Sequence, residues 1–426
     1  MNNGSDKQNI TRRRYIKYVV GAIIAAGAGS AIFATYEATR QTPPSVLRIG
    51  MLADKTGALA AYGYAHERVA RAAVNKINRA GGIANRPIEL IVEDTESAGP
   101  VGALKFRKLI EAYNVDFIIG SNTSAVVLPC VPIAKELRTV YFPTAGGSPI
   151  EPHGNRYVFD LNTNVVQETK AVANFAVEKI GKNWAIVVVD YAWGWDQEKW
   201  FEKHITEAGG TVLYSTRVPL GTSDFLPYLA KIPAKTEGVY FANFGSDFLS
   251  FIRDLYSVRP DIAKFGGNYV LSGQDLQKIK EYVEDTYVIT MFPTRLEGLD
   301  TPYNRAFRNE CGIDDEGRDI NTKVDMVLSY SWSTWTTLFT IKQGIEETGW
   351  KTKADTPIFI KWLEGIGFKE SYENPQGDKW IRAQDHVDFT TLYIEQVKGG
   401  KTKVIKKIPA EDTIYPPIVD YTKESF

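Results

Sequence analysis

The sequence predicts an α/β protein built from two doubly wound parallel sheets in tandem. Short apolar runs alternate with amphipathic segments along most of the chain after Ser45. Strands that alternate with helices form right-handed βαβ units, and these give parallel sheets with helices on both faces. The apolar runs are continuous, as expected for strands covered on both faces. The alternation restarts near Trp184, which indicates two lobes of similar architecture.

The first half of the chain supplies one set of elements. Its candidate strands are the apolar runs at 46–52, 88–94, 115–120, 139–144 and 157–161. Between the first two, Ala65, Val69, Ala73, Ile77 and Ala80 share one face of a predicted helix. The pair Gly81-Gly82 ends that helix, because glycine readily adopts the conformation of a C-terminal cap. Further helices are predicted over 101–114 and directly after residues 121–124.

The second half repeats the pattern and then changes character. Its candidate strands are 184–190, 211–218, 238–244, 268–273 and 286–292, and its helices lie near 196–208, 222–232, 246–257 and 274–283. After Pro293 the sequence predicts two largely buried helices, over 325–349 and 356–368. Residues 377–408 then alternate like an antiparallel strand pair, with Gly399-Gly400 as the turn.

The composition excludes several classes of protein. At 426 residues the chain is too long for one ordinary core, so two domains are expected. Its 50 basic and 51 acidic side chains nearly cancel, which does not favour a nucleic-acid partner. The two cysteines, Cys130 and Cys311, exclude a disulfide framework and a zinc cluster, and they leave at most one disulfide.

No motif for catalysis, a cofactor or a metal is found. The sequence has no G-x-G-x-x-G after a strand, no P-loop and no G-x-S-x-G. Its four histidines are dispersed, and none pairs at the spacing of metal ligands. The sequence therefore predicts a protein that is not an enzyme and that needs no cofactor or metal.

The N-terminal region has the pattern of an export signal. A basic run at 11–17 precedes an uncharged stretch at 18–36, and 37–45 has the composition of a linker. Arg12 and Arg13 within the basic run resemble a twin-arginine motif. No cysteine follows the stretch, which excludes a lipoprotein anchor. The stretch approaches the roughly 20 residues that span a bilayer, so cleavage and retention as an anchor both remain open.

The loops after the predicted strands are rich in glycine, hydroxyl groups, aromatic rings or carboxylates. In open α/β sheets, ligands bind in the crevice outside the carboxyl ends of the strands. One such loop holds Ser121, Asn122, Thr123 and Ser124, although a helix cap needs only one of these side chains. The other loops contain Tyr62, "PTAGGSP" (143–149), "DYAWGWD" (190–196), "NFGSD" (243–247) and "SGQD" (272–275). Six loops of this kind, three in each half, predict a ligand site between the lobes.

The order of these segments resembles the periplasmic leucine/isoleucine/valine-binding proteins, the substrate-binding components of branched-chain amino acid ABC transporters. The resemblance extends from Leu47 to Lys407. It is carried by "MLADKTGALAAYG", "AVNKINRAGGIANRPIELIVEDTES", "DYAWGWD" and "RAQDHVDFTTLYIEQVKGGK". It implies the type I periplasmic binding fold, in which two lobes joined by a three-crossing hinge close on a small ligand.

The resemblance also implies a role for individual residues. Thr123 and Ser124, with backbone N–H groups, would hold the ligand carboxylate, since a helix N-terminus attracts anions. Asp275 would be the buried acid that pairs with the ligand ammonium. The remaining contacts would come from the loop at Ala145, Gly146, Gly147 and Ser148 and from the aromatic rings of Tyr62, Trp193 and Phe244. The family often has threonine at Gly147 and tyrosines at Trp193 and Phe244, so the class of ligand is predicted rather than leucine itself.

The resemblance predicts the domain organisation and the function as follows. After the export segment (1–45), lobe 1 takes 46–161 and 293–368, and lobe 2 takes 162–292 and 369–426. The protein would be an exported monomer that captures a branched-chain or other small apolar or aromatic amino acid, or a related amide, for ABC permease subunits. Two alternatives remain open. One is a receptor ectodomain of the same fold, anchored through 18–36, and the other is an extracytoplasmic amide hydrolase.

Overall fold

The structure is a computed structural model that describes residues 46–145, 153–267 and 270–426. The chain divides into two units, Met1–Pro44 and Ser45–Phe426, and the description below concerns the second. The predicted export segment, including Arg12, Arg13 and the stretch 18–36, lies outside the described residues. Within the described ranges, no helix combines the length and the apolar character that crossing a bilayer requires.

The first sheet is parallel and has four strands in the order β2-β1-β3-β4. Its strands are β1 (Leu47–Ala53), β2 (Ile88–Asp94), β3 (Phe117–Gly120) and β4 (Val140–Phe142). The helices that follow the first three strands are α1 (Ala60–Arg79), α2 (Gly99–Glu111) and α3 (Ser124–Glu136). Each connection is a βαβ unit, as the alternation of apolar and amphipathic segments predicts.

The second sheet has seven strands in the order β14-β13-β9-β8-β7-β5-β6. Its parallel strands are β5 (Asn183–Val189), β6 (Thr211–Val218), β7 (Gly238–Ala242), β8 (Ala263–Gly266) and β9 (Tyr287–Thr290). An antiparallel hairpin at the β9 edge is formed by β13 (Leu392–Lys398) and β14 (Lys401–Ile408) around the predicted Gly399-Gly400 turn. The helices are α4 (Val165–Lys179), α5 (Ala192–Glu207), α6 (Leu226–Leu229), α7 (Gly245–Val258) and α8 (Lys280–Val283).

The last part of the chain adds helices and a small sheet. The helices are α9 (Pro302–Cys311), α10 (Leu328–Thr348) and α11 (Thr356–Leu363). The strands β10 (Gly367–Phe368), β11 (Lys379–Ile381) and β12 (Asp388–Thr390) form an antiparallel sheet. Short 3₁₀ helices occur at Leu296–Leu299, Lys353–Asp355, Ala410–Thr413 and Tyr421–Lys423.

Helix α10 is buried on nearly every side although its first half is rich in serine and threonine. Three of these hydroxyls donate to carbonyl groups of preceding residues: Ser331 to Met326 (2.7 Å), Ser333 to Tyr330 (2.8 Å) and Thr336 to Ser333 (3.2 Å). Backbone-directed bonds of this kind satisfy a hydroxyl in an apolar environment. The helix can therefore pack in the core, and its tryptophans, Trp332 and Trp335, are among the largest fully buried side chains.

Several predicted elements differ in the structure. Residues 157–161 form no strand and make only isolated bridges, Tyr141 with Val158 and Asp160 with Val387. The strand predicted at 268–273 is instead β8, which ends at Gly266, and 270–273 form a turn. The helices predicted at 222–232 and 274–283 shorten to α6 and α8, because residues 222–225 and 274–275 have no regular structure and residues 276–279 form a turn. Cys130 and Cys311 are both buried free thiols, so the possible disulfide is not formed.

Each sheet has one point where the strand order reverses. In the first sheet the chain moves from β1 outward to β2 and then crosses to β3 on the other side of β1. In the second sheet it moves from β5 outward to β6 and then crosses to β7. At such a switch point neighbouring loops leave the sheet in opposite directions, which opens a crevice for a ligand.

Candidate functional site

Four of the predicted site residues lie at the two switch points. Tyr62 is in the first turn of α1, after β1, and Ser124 is the first residue of α3, after β3. Trp193 is the second residue of α5, after β5, and Phe244 directly precedes α7, after β7. Each sheet therefore presents two of these residues where a ligand crevice is expected.

The two switch points lie close to each other, because α3, which follows β3, contacts α5, which follows β5. The pKa of Tyr62 is raised mainly by burial and further by the negative charges of Asp325 and Tyr191. Tyr191 directly precedes α5, so the first residues of α1 and α5 approach one another. The pKa of Tyr191 is itself raised by burial. The phenol groups of Tyr62 and Tyr191, which follow strands of different sheets, therefore lie in one region from which water is largely excluded.

Aromatic rings fill this region. The ring centroids are 6.2 Å apart for Tyr191 and Trp193, 6.1 Å for Trp193 and Phe244, and 6.3 Å for Tyr191 and Phe244. These distances are typical of favourable edge-to-face and tilted ring pairs. Trp193 is only 2% exposed and Phe244 only 8%. We refer to Tyr62, Tyr191, Trp193 and Phe244 as the aromatic cluster.

The N-terminus of α3 supplies free hydrogen-bonding groups. Thr123 is the cap: its Oγ1 accepts the N–H of Ala125 at 3.3 Å. Ser124 is buried at 4% exposure, and its hydroxyl makes no hydrogen bond to any other described residue. A helix N-terminus carries a partial positive charge, so these groups are suited to an anion.

Ser121 and Asn122 have a structural role instead. The Ser121 hydroxyl donates to both oxygens of Asp54 at 2.7 Å, and the N–H of Asn122 donates to Asp54 Oδ2 at 3.0 Å. Asp54 follows β1, is fully buried, and also accepts the hydroxyl of Thr95. Burial raises the pKa of Asp54, and these donors oppose that rise. Two of the four polar residues at 121–124 thus join the ends of β1 and β3, the third is the cap, and the hydroxyl of Ser124 bonds to none of the described residues.

The next loop is described only in part. Ala145 follows β4 and is buried at 1% exposure. Gly146, Gly147 and Ser148 lie outside the described residues, so their predicted contacts with a ligand carboxylate remain predictions.

Asp275 is not the buried acid that the sequence predicts. Its side chain is 45% exposed and lies 3.3 Å from the Lys278 ammonium. That hydrogen bond lowers the pKa of Asp275, as expected for an exposed ion pair. The reason is the position of β8: the strand ends at Gly266, so the residues at its carboxyl end come well before Asp275.

A different acid, Asp325, lies shortly before α10, which packs against α1, the helix that contains Tyr62. Its oxygens accept the N–H of Gly273 at 2.8 Å and the N–H of Val327 at 2.7 Å. Burial raises the pKa of Asp325, and the carboxylate in turn raises the pKa of Tyr62. The described residues hold no group of three or more His, Cys, Asp or Glu side chains that could bind a metal ion.

A family model described as periplasmic binding protein matches residues 46–402. The chain belongs to this family. Leu/Ile/Val-binding protein homolog 3 of Brucella melitensis is 26% identical over 224 residues, which are 52% of this chain and 61% of that relative. BraC3 of Rhizobium johnstonii is 25% identical over 225 residues, which are again 52% of this chain and 61% of that relative. The chain thus spans about three fifths of these two relatives, and 77% of Brucella homolog 6, at 24% identity.

Solved structures confirm the fold of this periplasmic binding protein. A solute-binding protein of an ABC transporter from Rhodopseudomonas palustris, in complex with 3,4-dihydroxybenzoic acid, has a TM-score of 0.74 at 17% identity, over 86% of this chain and 98% of that one. LivJ of Streptococcus pneumoniae, in complex with isoleucine, has a TM-score of 0.70 at 19% identity, over 85% and 99%. The predicted family and the type I fold are therefore confirmed.

Two residues near the candidate site, Tyr191 and Asp325, are not among the residues that the sequence predicts. Tyr191 was part of the noted "DYAWGWD" loop, and its position directly before α5 could have identified it. Asp325 begins the segment predicted as a helix at 325–349, and an acid at a helix start is an ordinary cap signal. Nothing local connects it with β8 or α1, because its proximity to both arises only when the chain folds.

Proposed function

We propose that this chain is the extracytoplasmic substrate-binding protein of an ABC importer. Its ligand is a small molecule that combines a carboxylate or carboxamide group with an apolar or aromatic body: a branched-chain or other small apolar or aromatic amino acid, or a related amide. The observation that supports this best is the meeting of the two switch points, where the aromatic cluster adjoins the free N-terminus of α3. A ligand carboxylate would bind at Ser124, and its apolar part would pack on the rings.

The ligands of related proteins support both an apolar and an aromatic body. Solved neighbours carry isoleucine, benzoate and 4-hydroxybenzoate, and each is a carboxylate attached to an apolar body. A charge-assisted hydrogen bond to the carboxylate is about twice as strong as a neutral one. The rings of the aromatic cluster would contribute the hydrophobic part of the binding energy.

Binding would close two lobes around the ligand. We propose the predicted division into lobe 1 (46–161 and 293–368) and lobe 2 (162–292 and 369–426). The first sheet is built from residues of lobe 1, and the seven-stranded sheet from residues of lobe 2. The chain would cross between them near 161, 293 and 369, and these crossings would act as a hinge. The closed form would then dock on ABC permease subunits.

A thermal-shift screen of the purified protein tests this function. The compounds would be apolar and aromatic amino acids, their amides and benzoates, with sugars as negative controls. A ligand at 100 times its Kd stabilises the folded protein by about 2.7 kcal/mol, which gives a clear rise in Tm. Recovery of the bound compound unchanged would separate a binding protein from an amide hydrolase. If no acid or amide raised Tm, the proposed function would be wrong.

Two tryptophans of α5 provide a matched control. Trp193 belongs to the aromatic cluster, whereas Trp195 is 45% exposed and its indole N–H donates to Asp190 at 2.7 Å. Trp193→Leu should weaken the ligand measurably by calorimetric titration, because it removes a ring from the pocket wall. Trp195→Leu should leave the affinity unchanged. Equal effects of the two changes would place the site elsewhere.

A further inference from the structure

Residues 414–426, which we call the C-terminal strap, contact parts of the molecule that belong to different proposed lobes. Near the start of the strap, the side-chain amide of Asn164 donates to the Tyr415 hydroxyl at 2.6 Å. Tyr415 is only 8% exposed and belongs to a small apolar cluster with residues of α4 and β12. Further along, the N–H of Tyr421 donates to the carbonyl oxygen of Gln384 at 2.6 Å. These partners all belong to proposed lobe 2, so the first part of the strap is fixed to that lobe.

The far end of the strap is attached to proposed lobe 1. The Glu424 carboxylate lies 2.8 Å from the Nζ of Lys135, in the last turn of α3. Arg156 donates to the Glu424 carbonyl oxygen at 2.6 Å, and its guanidinium lies 3.9 Å from the ring centroid of Phe426. Arg156 is itself held by two hydrogen bonds, of 2.9 and 3.1 Å, to Glu364 at the end of α11. The strap therefore connects α4 and β12 with α3 and α11.

The contacts of the strap with proposed lobe 1 are weaker than those with proposed lobe 2. The side chains of Lys135 and Glu424 are 48% and 29% exposed, and an ion pair so accessible to water contributes little. The Phe426 ring adds a cation–π contact with Arg156, which is also modest. Tyr415, by contrast, is buried and hydrogen-bonded. If the lobes moved apart, the end of the strap on lobe 1 would therefore be released first.

The strap is a connection in addition to the three proposed crossings of the hinge. It holds the C-terminal turn of α3, whereas Ser124, of the proposed ligand site, begins that helix. The helix has 13 residues, so the two ends are about 20 Å apart. In the described arrangement the strap is attached at both ends while α3 contacts α5. Attachment of the strap therefore accompanies contact between the two helices that carry the site. The match to the family model ends at residue 402, so the strap lies beyond the matched part.

We propose that the C-terminal strap is a conformational latch that favours the closed form of the protein. Its contacts with lobe 1 form when the lobes close and break when the cleft opens. The apparent affinity for a ligand falls in proportion to the fraction of protein in the form that binds it, so the strap raises that affinity. This inference rests on the proposed function and its division into lobes. Because the strap does not adjoin the proposed ligand site, it should affect every ligand by the same factor.

The test uses one double variant and one matched control in the full chain. Glu424→Gln combined with Phe426→Ala removes both kinds of side-chain contact with lobe 1. The control, Lys423→Gln, removes only an ion pair within the strap, to Asp420 at 3.1 Å. X-ray scattering without ligand gives the radius of gyration, and calorimetric titration gives the Kd for isoleucine and 4-hydroxybenzoate, or for two acids that the thermal-shift screen identifies. Melting curves check folding. If the double variant melted early, Lys135→Gln would remove the same ion pair from the surface of α3.

We expect the double variant without ligand to have a larger radius of gyration than the wild type. It should bind both probes about 3 to 10 times more weakly, as expected for the loss of two modest contacts. Lys135→Gln alone should give a smaller change in the same direction, and Lys423→Gln should match the wild type.

Other outcomes would overturn the proposal in distinguishable ways. An unchanged or smaller radius, or an unchanged Kd, would show that the strap does not favour closure, while the proposed function stood. Weaker binding of one probe alone would indicate an altered ligand site and would also refute the latch. If the wild type bound neither probe and no compound of the wider screen, the proposed function would fail, and the scattering without ligand would still decide whether the strap holds the lobes together.

Discussion

Replacing Ser124 and Thr123 separately by alanine would show which of these neighbouring hydroxyls acts on the ligand. Thr123 caps α3 through its bond to the N–H of Ala125. Ser124 is the next residue and is only 4% exposed. Its hydroxyl bonds to none of the described residues. The structure thus gives the Thr123 hydroxyl a role in folding, and the proposed function gives the Ser124 hydroxyl a role in binding the ligand.

Thr123→Ala should lower the folding free energy, whereas Ser124→Ala should lower the binding free energy. Thr123→Ala removes a cap, which costs about 1 kcal/mol of folding free energy. Ser124→Ala removes no bond to the described protein, so the stability of the empty protein should change by less than about 0.5 kcal/mol. If Ser124 donates to a ligand carboxylate, its loss should cost about 1.5–3 kcal/mol of binding free energy, the range for bonds to charged groups. This corresponds to an affinity roughly 10 to 150 times lower.

Two measurements on each variant separate these effects. Denaturant unfolding without ligand gives the free energy of folding, and calorimetric titration with the best acid from the screen gives the Kd. We expect a loss of stability for Thr123→Ala and a loss of affinity for Ser124→Ala. If Ser124→Ala destabilised the empty protein as much as Thr123→Ala and left the Kd unchanged, the N-terminus of α3 would not be the carboxylate site.

Three further predictions concern a buried carboxyl group, the hinge and export. Burial raises the pKa of Glu395 from 4.5 to about 7, so the folded protein retains a proton that the unfolded chain releases. Stability should therefore fall as the pH rises from about 4.5 to 7, and Glu395→Gln should stabilise the protein at pH 8 by up to about 3 kcal/mol but not at pH 4.5. Equal effects at both pH values in urea unfolding would contradict this. X-ray scattering should show a smaller radius of gyration with saturating ligand, and an unchanged radius would indicate a rigid site. Replacing Arg12 and Arg13 by lysine should retain the protein in the cytoplasm in a fractionation experiment, whereas normal export would exclude a twin-arginine signal.

The order of elements was predictable because it depends on local patterns. Continuous apolar runs separated by amphipathic segments correctly predict β1, β2, β5 and β6, and Gly399-Gly400 correctly predicts the last hairpin. The run at 157–161 is as apolar as these strands, yet it forms only isolated bridges. A segment becomes a strand only when a neighbouring strand accepts its hydrogen bonds, and that neighbour cannot be identified from the segment alone.

The site was predictable wherever a residue directly follows a strand at a switch point. Tyr62, Ser124, Trp193 and Phe244 satisfy that condition, so four approximate strand ends were enough to locate them. The burial of Asp275 was predicted wrongly because the prediction depended on one boundary: placing β8 at 268–273 instead of Ala263–Gly266 moved its carboxyl end to Asp275.

The acid that does lie at the crevice could not be found in this way. Asp325 follows no strand, and its partners Gly273 and Val327 belong to two separate loops. Its proximity to Tyr62 depends on how the start of α10 packs against α1 and the segment after β8, which is a property of the complete fold. Strand ends therefore predict the candidate residues at the switch points, whereas charged groups such as Asp325 come from loops whose neighbours are set only by the tertiary structure.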